Sequence, residues 1–83
     1  MYLFQASGIL NNIDLKGPIS YKESDNSYLF INRNNSWDIH VVLKKGDNGN
    51  WYQHGGISVH LPQGFIEILG AQIDTYLESK TQS

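Results

Sequence analysis

The sequence predicts an α+β domain, an antiparallel sheet of four strands or slightly more with one face covered by a single C-terminal helix. Three observations predict it. Helical periodicity is confined to the last third of the chain, where Phe65, Ile66, Ile68, Leu69, Ile73, Tyr76 and Leu77 recur at three- and four-residue spacing. Upstream, apolar residues alternate or cluster in short runs bounded by Asn, Asp, Gly and Ser. The connections between those runs are too short for parallel crossovers, so neighbouring strands run antiparallel. With 83 residues the chain is a single domain, of a size often helped by oligomerisation.

Residues 1–17 hold the runs Tyr2-Leu3-Phe4 and Ile9-Leu10, then Asn11-Asn12 as a turn, and read as an N-terminal extension or as extra strands. Residues 18–61 read as the sheet. Ile19 to Glu23 alternates weakly and ends in the loop Ser24-Asp25-Asn26-Ser27. Tyr28 to Asn32 is a strand of aromatic and β-branched residues, followed by the turn Arg33-Asn34-Asn35-Ser36. Trp37 to Lys45 is the next strand, with Trp37, Ile39, Val41 and Leu43 on a core face and Asp38, His40, Val42 and Lys44 on the other. Gly46 to Asn50 turns the chain, with Asn48-Gly49 suited to positive φ. Trp51 to His54 starts the return, Gly55-Gly56 bends or bulges it, and Ile57 to Leu61 completes it.

Residues 62–80 read as the helix and 81–83 as a tail. From Pro62 to Ser79 the helix spans about 27 Å at 1.5 Å per residue, enough to cross a small sheet. Pro62 suits the first helical position. Leu61 is a poor cap, so His60, Gln63 or water must serve the first N–H groups. Gly64 and Gly70 each cost roughly 1 kcal/mol against Ala in a helix interior. Gly70 follows the apolar stripe, which predicts close packing against a neighbouring backbone. Phe65, Leu69, Ile73 and Tyr76, with Trp37, Ile39 and Val41, are the expected core or dimer residues.

There are no cysteines, which excludes a disulfide framework and a thiolate metal site. The N-terminus lacks both a basic start and a long apolar run, so neither a signal peptide nor a membrane span is expected. A net charge of −2 argues against a strongly basic nucleic-acid surface. Its distribution shifts that reading. Residues 1–61 carry Lys16, Lys22, Arg33, Lys44 and Lys45 against Asp14, Glu23, Asp25, Asp38 and Asp47, whereas residues 62–83 carry Lys80 against Glu67, Asp74 and Glu78. The acidity sits on the helix.

Tyr28 to Asn32 is apolar on both parities, yet one helix covers only one face. If Leu29 and Ile31 meet the helix, Tyr28 and Phe30 point to the uncovered side, where a second subunit or stacked bases would cover them. Trp51 and Tyr52, beside the turn, either clamp bases or pack across strands. Lys22, Arg33, Lys44 and Lys45 are candidate phosphate contacts or simply solvated cations. Lys44 and Lys45 are favoured as adjacent cations beside aromatics. Imidazole is a common metal ligand, but His40 and His60 have no ligand spacing between them and His40, His54 and His60 read as structural or surface residues, so no metal or other cofactor is expected. No nucleophile–base pair and no Gly-rich phosphate loop is present, so no enzyme is expected.

The order of elements resembles the single-stranded DNA-binding domain of the transcriptional coactivator positive cofactor four family. Ser27-Tyr28-Leu29-Phe30-Ile31 is similar to its second strand, Trp37-Asp38-Ile39-His40 to its third, and Gly56-Ile57-Ser58-Val59 with Pro62 opening the helix to its ending. The resemblance spans roughly residues 19–77. It implies a homodimer of curved four-stranded sheets, each backed by a helix, which binds single-stranded DNA or melted duplex on the sheet side. It also implies a role in transcription, replication or recombination, with proteins of those processes as partners. The setting expected is a compact bacterial or viral member in the cytoplasm of a bacterium or an infected host cell.

The chain departs from the family where DNA contacts are expected. The loop after the second strand reads Arg33-Asn34-Asn35-Ser36, His40 replaces a basic residue, and His54-Gly55 replaces a basic pair. Fewer phosphate contacts imply weaker binding and a shallower salt dependence. The expected nucleic-acid-binding set is Lys22, Tyr28, Phe30, Arg33, His40, Lys44, Lys45, Trp51, Tyr52 and His54. The rival reading is a small protein-interaction module, such as a viral inhibitor of a host protein, favoured by the negative charge and missing basic residues.

Overall fold

A computed structural model describes residues 1–33, 38–56 and 61–81. Strands β1 (Tyr2–Leu10), β2 (Ile13–Lys22), β3 (Ser27–Arg33), β4 (Asp38–Lys45) and β5 (Trp51–Gly55) form one antiparallel meander in sequence order, and helix α1 (Gln63–Thr81) packs on one face. The α+β architecture matches the sequence expectation, with five strands. The fifth comes from the N-terminal residues, because Asn11 and Asn12 both adopt positive φ (52° and 66°) and close a two-residue hairpin with Leu10 opposite Ile13. The first 22 residues therefore form a long β1–β2 hairpin within the sheet. Trp37 as a core residue, the Asn34–Ser36 turn, the strand over Ile57–His60 and a capping role for His60 lie outside the described residues.

Pro18 sits inside β2 and has no N–H to give to a ladder. The regular β2–β3 pairing accordingly runs from Ile19 opposite Phe30 to Lys22 opposite Ser27. Beyond it, the Asn32 Nδ2 donates to the Lys16 carbonyl at 2.7 Å, and Gly17 packs so close to the Ile31 carbonyl that any Cβ would overlap it. At the β4–β5 turn only Gly49 has positive φ (85°), whereas Asn48 contributes its side-chain oxygen as acceptor for the Asn50 N–H at 3.1 Å. The expected bend near Gly55-Gly56 is present. The ladder slips between Val42 and Leu43, leaving His54 as the extra residue, and Gly56 (φ 123°) lies against the His40 carbonyl.

The core lies between the sheet and α1. Ile19, Phe30, Ile39, Val41 and Leu43 on the sheet meet Phe65, Ile66, Leu69 and Ile73 on the helix, with the Phe30 and Phe65 rings edge to face at 6.0 Å. Ala6, Leu10 and Leu15 extend it under the hairpin. The apolar stripe is narrower than its periodicity implied. Ile68 and Leu77 are exposed, and Tyr76 is half-buried, stacked on Phe4 at 4.9 Å.

The helix start is fastened by glutamines. Pro62 offers its carbonyl to the N–H groups of Phe65 (3.1 Å) and Ile66 (3.3 Å). Gln53 Oε1 accepts from the Leu61 N–H at 2.8 Å, and Gln63 Nε2 donates to the Trp51 carbonyl at 2.7 Å. Gln63 thus ties α1 to β5 instead of capping it. Gly70 does pack closely, but against the Trp51 indole and not against backbone, whereas Gly64 has open space where a Cβ would sit. Among the described residues no helix is long and apolar enough to cross a membrane.

The two helical glycines should therefore respond with opposite signs. Gly70→Ala drives a methyl into the Trp51 ring and should lower stability by about 1–3 kcal/mol, as overpacking does. Gly64→Ala should raise stability by up to about 1 kcal/mol through helix propensity alone. Urea denaturation of both variants reads the difference.

Candidate functional site

In a sheet covered on one face, the parity of each strand decides which side chains reach the other face. Phe30 stands opposite both Ile19 and Val41, all three fully buried, so Phe30 belongs to the helix side. Leu29 stands between Ser20 and Val42, and Ile31 opposite His40, on the helix-free side. This inverts the expected orientation of β3. Phe30 is a core residue and cannot stack on a base. Tyr28 is half-buried on the helix side, its ring 5.4 Å from Trp51 and 5.0 Å from Tyr21, and burial raises its phenol above the ordinary value of 10.0.

Trp51 and Lys45 leave the expected binding set for the same reason. They are paired across β4 and β5 on the parity of Leu43, under the helix. Trp51 is buried, and its indole N–H donates to Asp74 Oδ2 at 3.1 Å. The Lys45 ammonium lies 2.9 Å from Asp74 Oδ1 and 5.7 Å from the indole centroid. Asp74 is therefore not a plain solvent-facing acid, because it holds both groups. Adjacent residues of a strand point to opposite faces, so Lys44 and Lys45 cannot serve one site together.

What remains together on the helix-free face is a smaller set. Lys22, Arg33, His40, Lys44, Tyr52 and His54 are there by register, with Lys44 opposite Tyr52 and the Tyr52 and His54 rings 6.4 Å apart. Lys16 joins them. With Arg33, Gln5, Pro18 and Ile31 it lines a depression where Pro18 parts β2 from β3. The signal for Lys16 was its parity with Pro18, Ser20 and Lys22, which is readable only once residues 13–22 are known to form one strand. Leu29, Ile31 and Val42 form a half-exposed apolar strip between the two basic ends.

The cations on this face are partly offset. Lys16 lies 3.9 Å from Asp14, and Arg33 stands opposite Asp38 in the ladder. Asp25 accepts from the Ser27 hydroxyl at 2.7 Å, and that bond is the main reason its carboxyl titrates below the ordinary 3.8, with the charges of Lys22 and Lys44 adding to it. Among the described residues no group of three or more His, Cys, Asp or Glu side chains is placed to hold a metal. No protein-family model, no curated protein and no solved structure matches this chain.

Because the folded-state pKa of Asp25 is depressed, its contribution to stability is present above the unfolded-state value and lost as pH falls through the folded one. Ser27→Ala should move the Asp25 titration up towards 3.8 and so narrow that acidic window. Carboxyl chemical shifts followed by NMR between neutral and acidic pH check this, and an unmoved Asp25 would refute the role of the Ser27 hydroxyl.

Proposed function

We propose that the helix-free face binds single-stranded DNA without strong sequence preference, as an accessory protein of replication, recombination or transcription and not as an enzyme. One observation carries the reading. The strand register gathers Lys22, Lys44 and Tyr52 at one end of that face and Lys16 and Arg33 at the other, while Glu67 and Glu78 are held away on the helix. Phosphates would lie on the cations, and a base would stack on Tyr52, with His54 beside it. Leu29, Ile31 and Val42 would take the apolar faces of further bases. The resemblance in element order supports the same reading, and it implies a homodimer, which would present two such faces.

The corrected orientation of β3 makes the proposal quantitative. Among the described residues this face exposes two aromatics, Tyr52 and, by its pairing with Ser20, Tyr2. Stacking contributes about 1–3 kcal/mol per base, and charge supplies the rest of the affinity. Four cations set the steepest salt dependence near a slope of about 3, at about 0.7 per phosphate neutralised on a single strand. A second reading, docking of another protein, is favoured by the apolar strip of Leu29, Ile31 and Val42 in the middle of the face.

Fluorescence anisotropy separates the two, using labelled oligothymidine of about 20 nucleotides beside a duplex of equal length, at low and moderate salt. Preference for the single strand is expected. Lys22→Ala and Lys44→Ala should each weaken binding and flatten the salt slope by about 0.7, and Tyr52→Ala should cost about 1–3 kcal/mol. Lys45→Ala should leave affinity unchanged while lowering stability. Absence of binding at low salt would overturn the DNA reading in favour of protein docking.

A further inference from the structure

The two edges of the sheet are protected very differently. β5 is five residues long and carries the bulge at His54. β1 is nine residues long and contains no charged residue and no proline, the devices that normally blunt an edge. Among the described residues the Gln72 side chain guards it. The Gln72 amide accepts from the Ser7 N–H at 3.1 Å and donates to the Ser7 carbonyl, the two bonds that a neighbouring strand would make. The backbone of Ser7 therefore points away from β2, and by alternation so do those of Gln5 and Ile9.

We propose that this edge is where two copies of the chain join, β1 against β1 in antiparallel register about Ser7. The regular part of β1 picks the centre. Its ladder with β2 slips between Tyr2 and Phe4 and is continuous from Phe4 to Leu10, whose midpoint is Ser7. An antiparallel pair of identical strands is its own two-fold, so the contact closes on itself instead of propagating. Charge selects a second copy as the occupant. Each chain carries a net −2, whereas β1 and the α1 side chains beside it, Ala71, Gln72, Thr75 and Ser79, are uncharged, with the Lys80 ammonium over the Tyr76 ring at the far end of that flank.

In that register Ile9, 62 % exposed in the single chain, lies opposite Gln5 of the other copy. Ala6 and Gly8 meet on the helix side, small enough for the two helix flanks to approach. The released Gln72 amide turns to the other copy or to water. The two helix-free faces become one surface, and Lys16, opposite Ser7 in the β1–β2 ladder, comes within about 14 Å of its counterpart, three strand spacings of about 4.8 Å. The inference takes from the nucleic-acid reading only the dimer, and its test measures mass, so either can fail without the other.

Analytical ultracentrifugation of the full chain up to about 0.5 mM should show a monomer–dimer equilibrium. Ser7 sits on the two-fold, so Ser7→Lys and Ser7→Glu each place like charges directly opposite and should be monomeric. An equimolar mixture of the two should form a heterodimer, seen by native mass spectrometry at the summed mass. That regain also shows that both variants fold. Gln72→Ala, which removes the competing amide, should tighten the dimer about tenfold. A wild-type chain that stays monomeric, a dimer that survives Ser7→Lys, a mixture that forms no heterodimer, or a Gln72→Ala dimer that is weaker would each overturn the proposal.

Discussion

The contact between Trp51 and Gly70 sets the geometry on which the rest of the fold depends. An indole seated where any Cβ would overlap it fixes the depth and position of α1 at the β5 end of the sheet. Asp74, one turn further along the helix, takes the indole N–H and thereby the Lys45 ammonium, so a half-buried carboxylate is satisfied from two sides. One flank of the helix is held to β5 by Gln63, Gly70 and Asp74, and the other to β1 by Phe65 beside Gly8, the Gln72–Ser7 bonds and the Phe4–Tyr76 stack. A single helix laid this way buries one face of the sheet and, among the described residues, leaves the other open.

That constraint turns strand parity into a question of function. A side chain on β3 or β4 belongs to the core or to the open face, and shifting one residue exchanges the two sets. Phe30 and Trp51, read from the sequence as candidate stacking platforms, are instead the inner wall of the core. The open face that results has modest charge, two exposed tyrosines (Tyr2 and Tyr52) among the described residues, and an apolar centre. Its chemistry suits loose, sequence-tolerant contacts along a backbone better than readout of individual bases.

The parts of this arrangement that rest on local pattern were legible in the sequence. The helix follows from the spacing of Phe65, Leu69 and Ile73, the first hairpin from Asn11-Asn12, and the core parity of β4 from Ile39, Val41 and Leu43. That last parity already placed Lys45, and with it Trp51 across the turn, on the helix side. The orientation of β3 was not legible, because Tyr28, Phe30 and Leu29, Ile31 are equally apolar sets. The register that decides between them depends on pairing with Ile19 and Val41, set by turns and by the interruption at Pro18. The double role of Asp74 was hidden as well. Nothing in an isolated helical acid reveals an indole and an ammonium that arrive from residues more than 20 positions earlier.

The weakness of a single open face and the neutrality of the β1 edge belong to one argument. Lys16, Arg33, Lys22 and Lys44 each have a carboxylate on the same face nearby, so one sheet offers few uncompensated charges to a phosphate backbone. Adding cations would raise affinity, but it would also raise self-repulsion within a domain this small. Placing two faces side by side gains the same end differently, since the second contact then forms at the effective concentration set by the first. The strand that makes this possible must itself carry no charge. β1 meets that requirement, and the Gln72 amide occupies the Ser7 N–H and carbonyl that a second copy would pair in the proposed dimer.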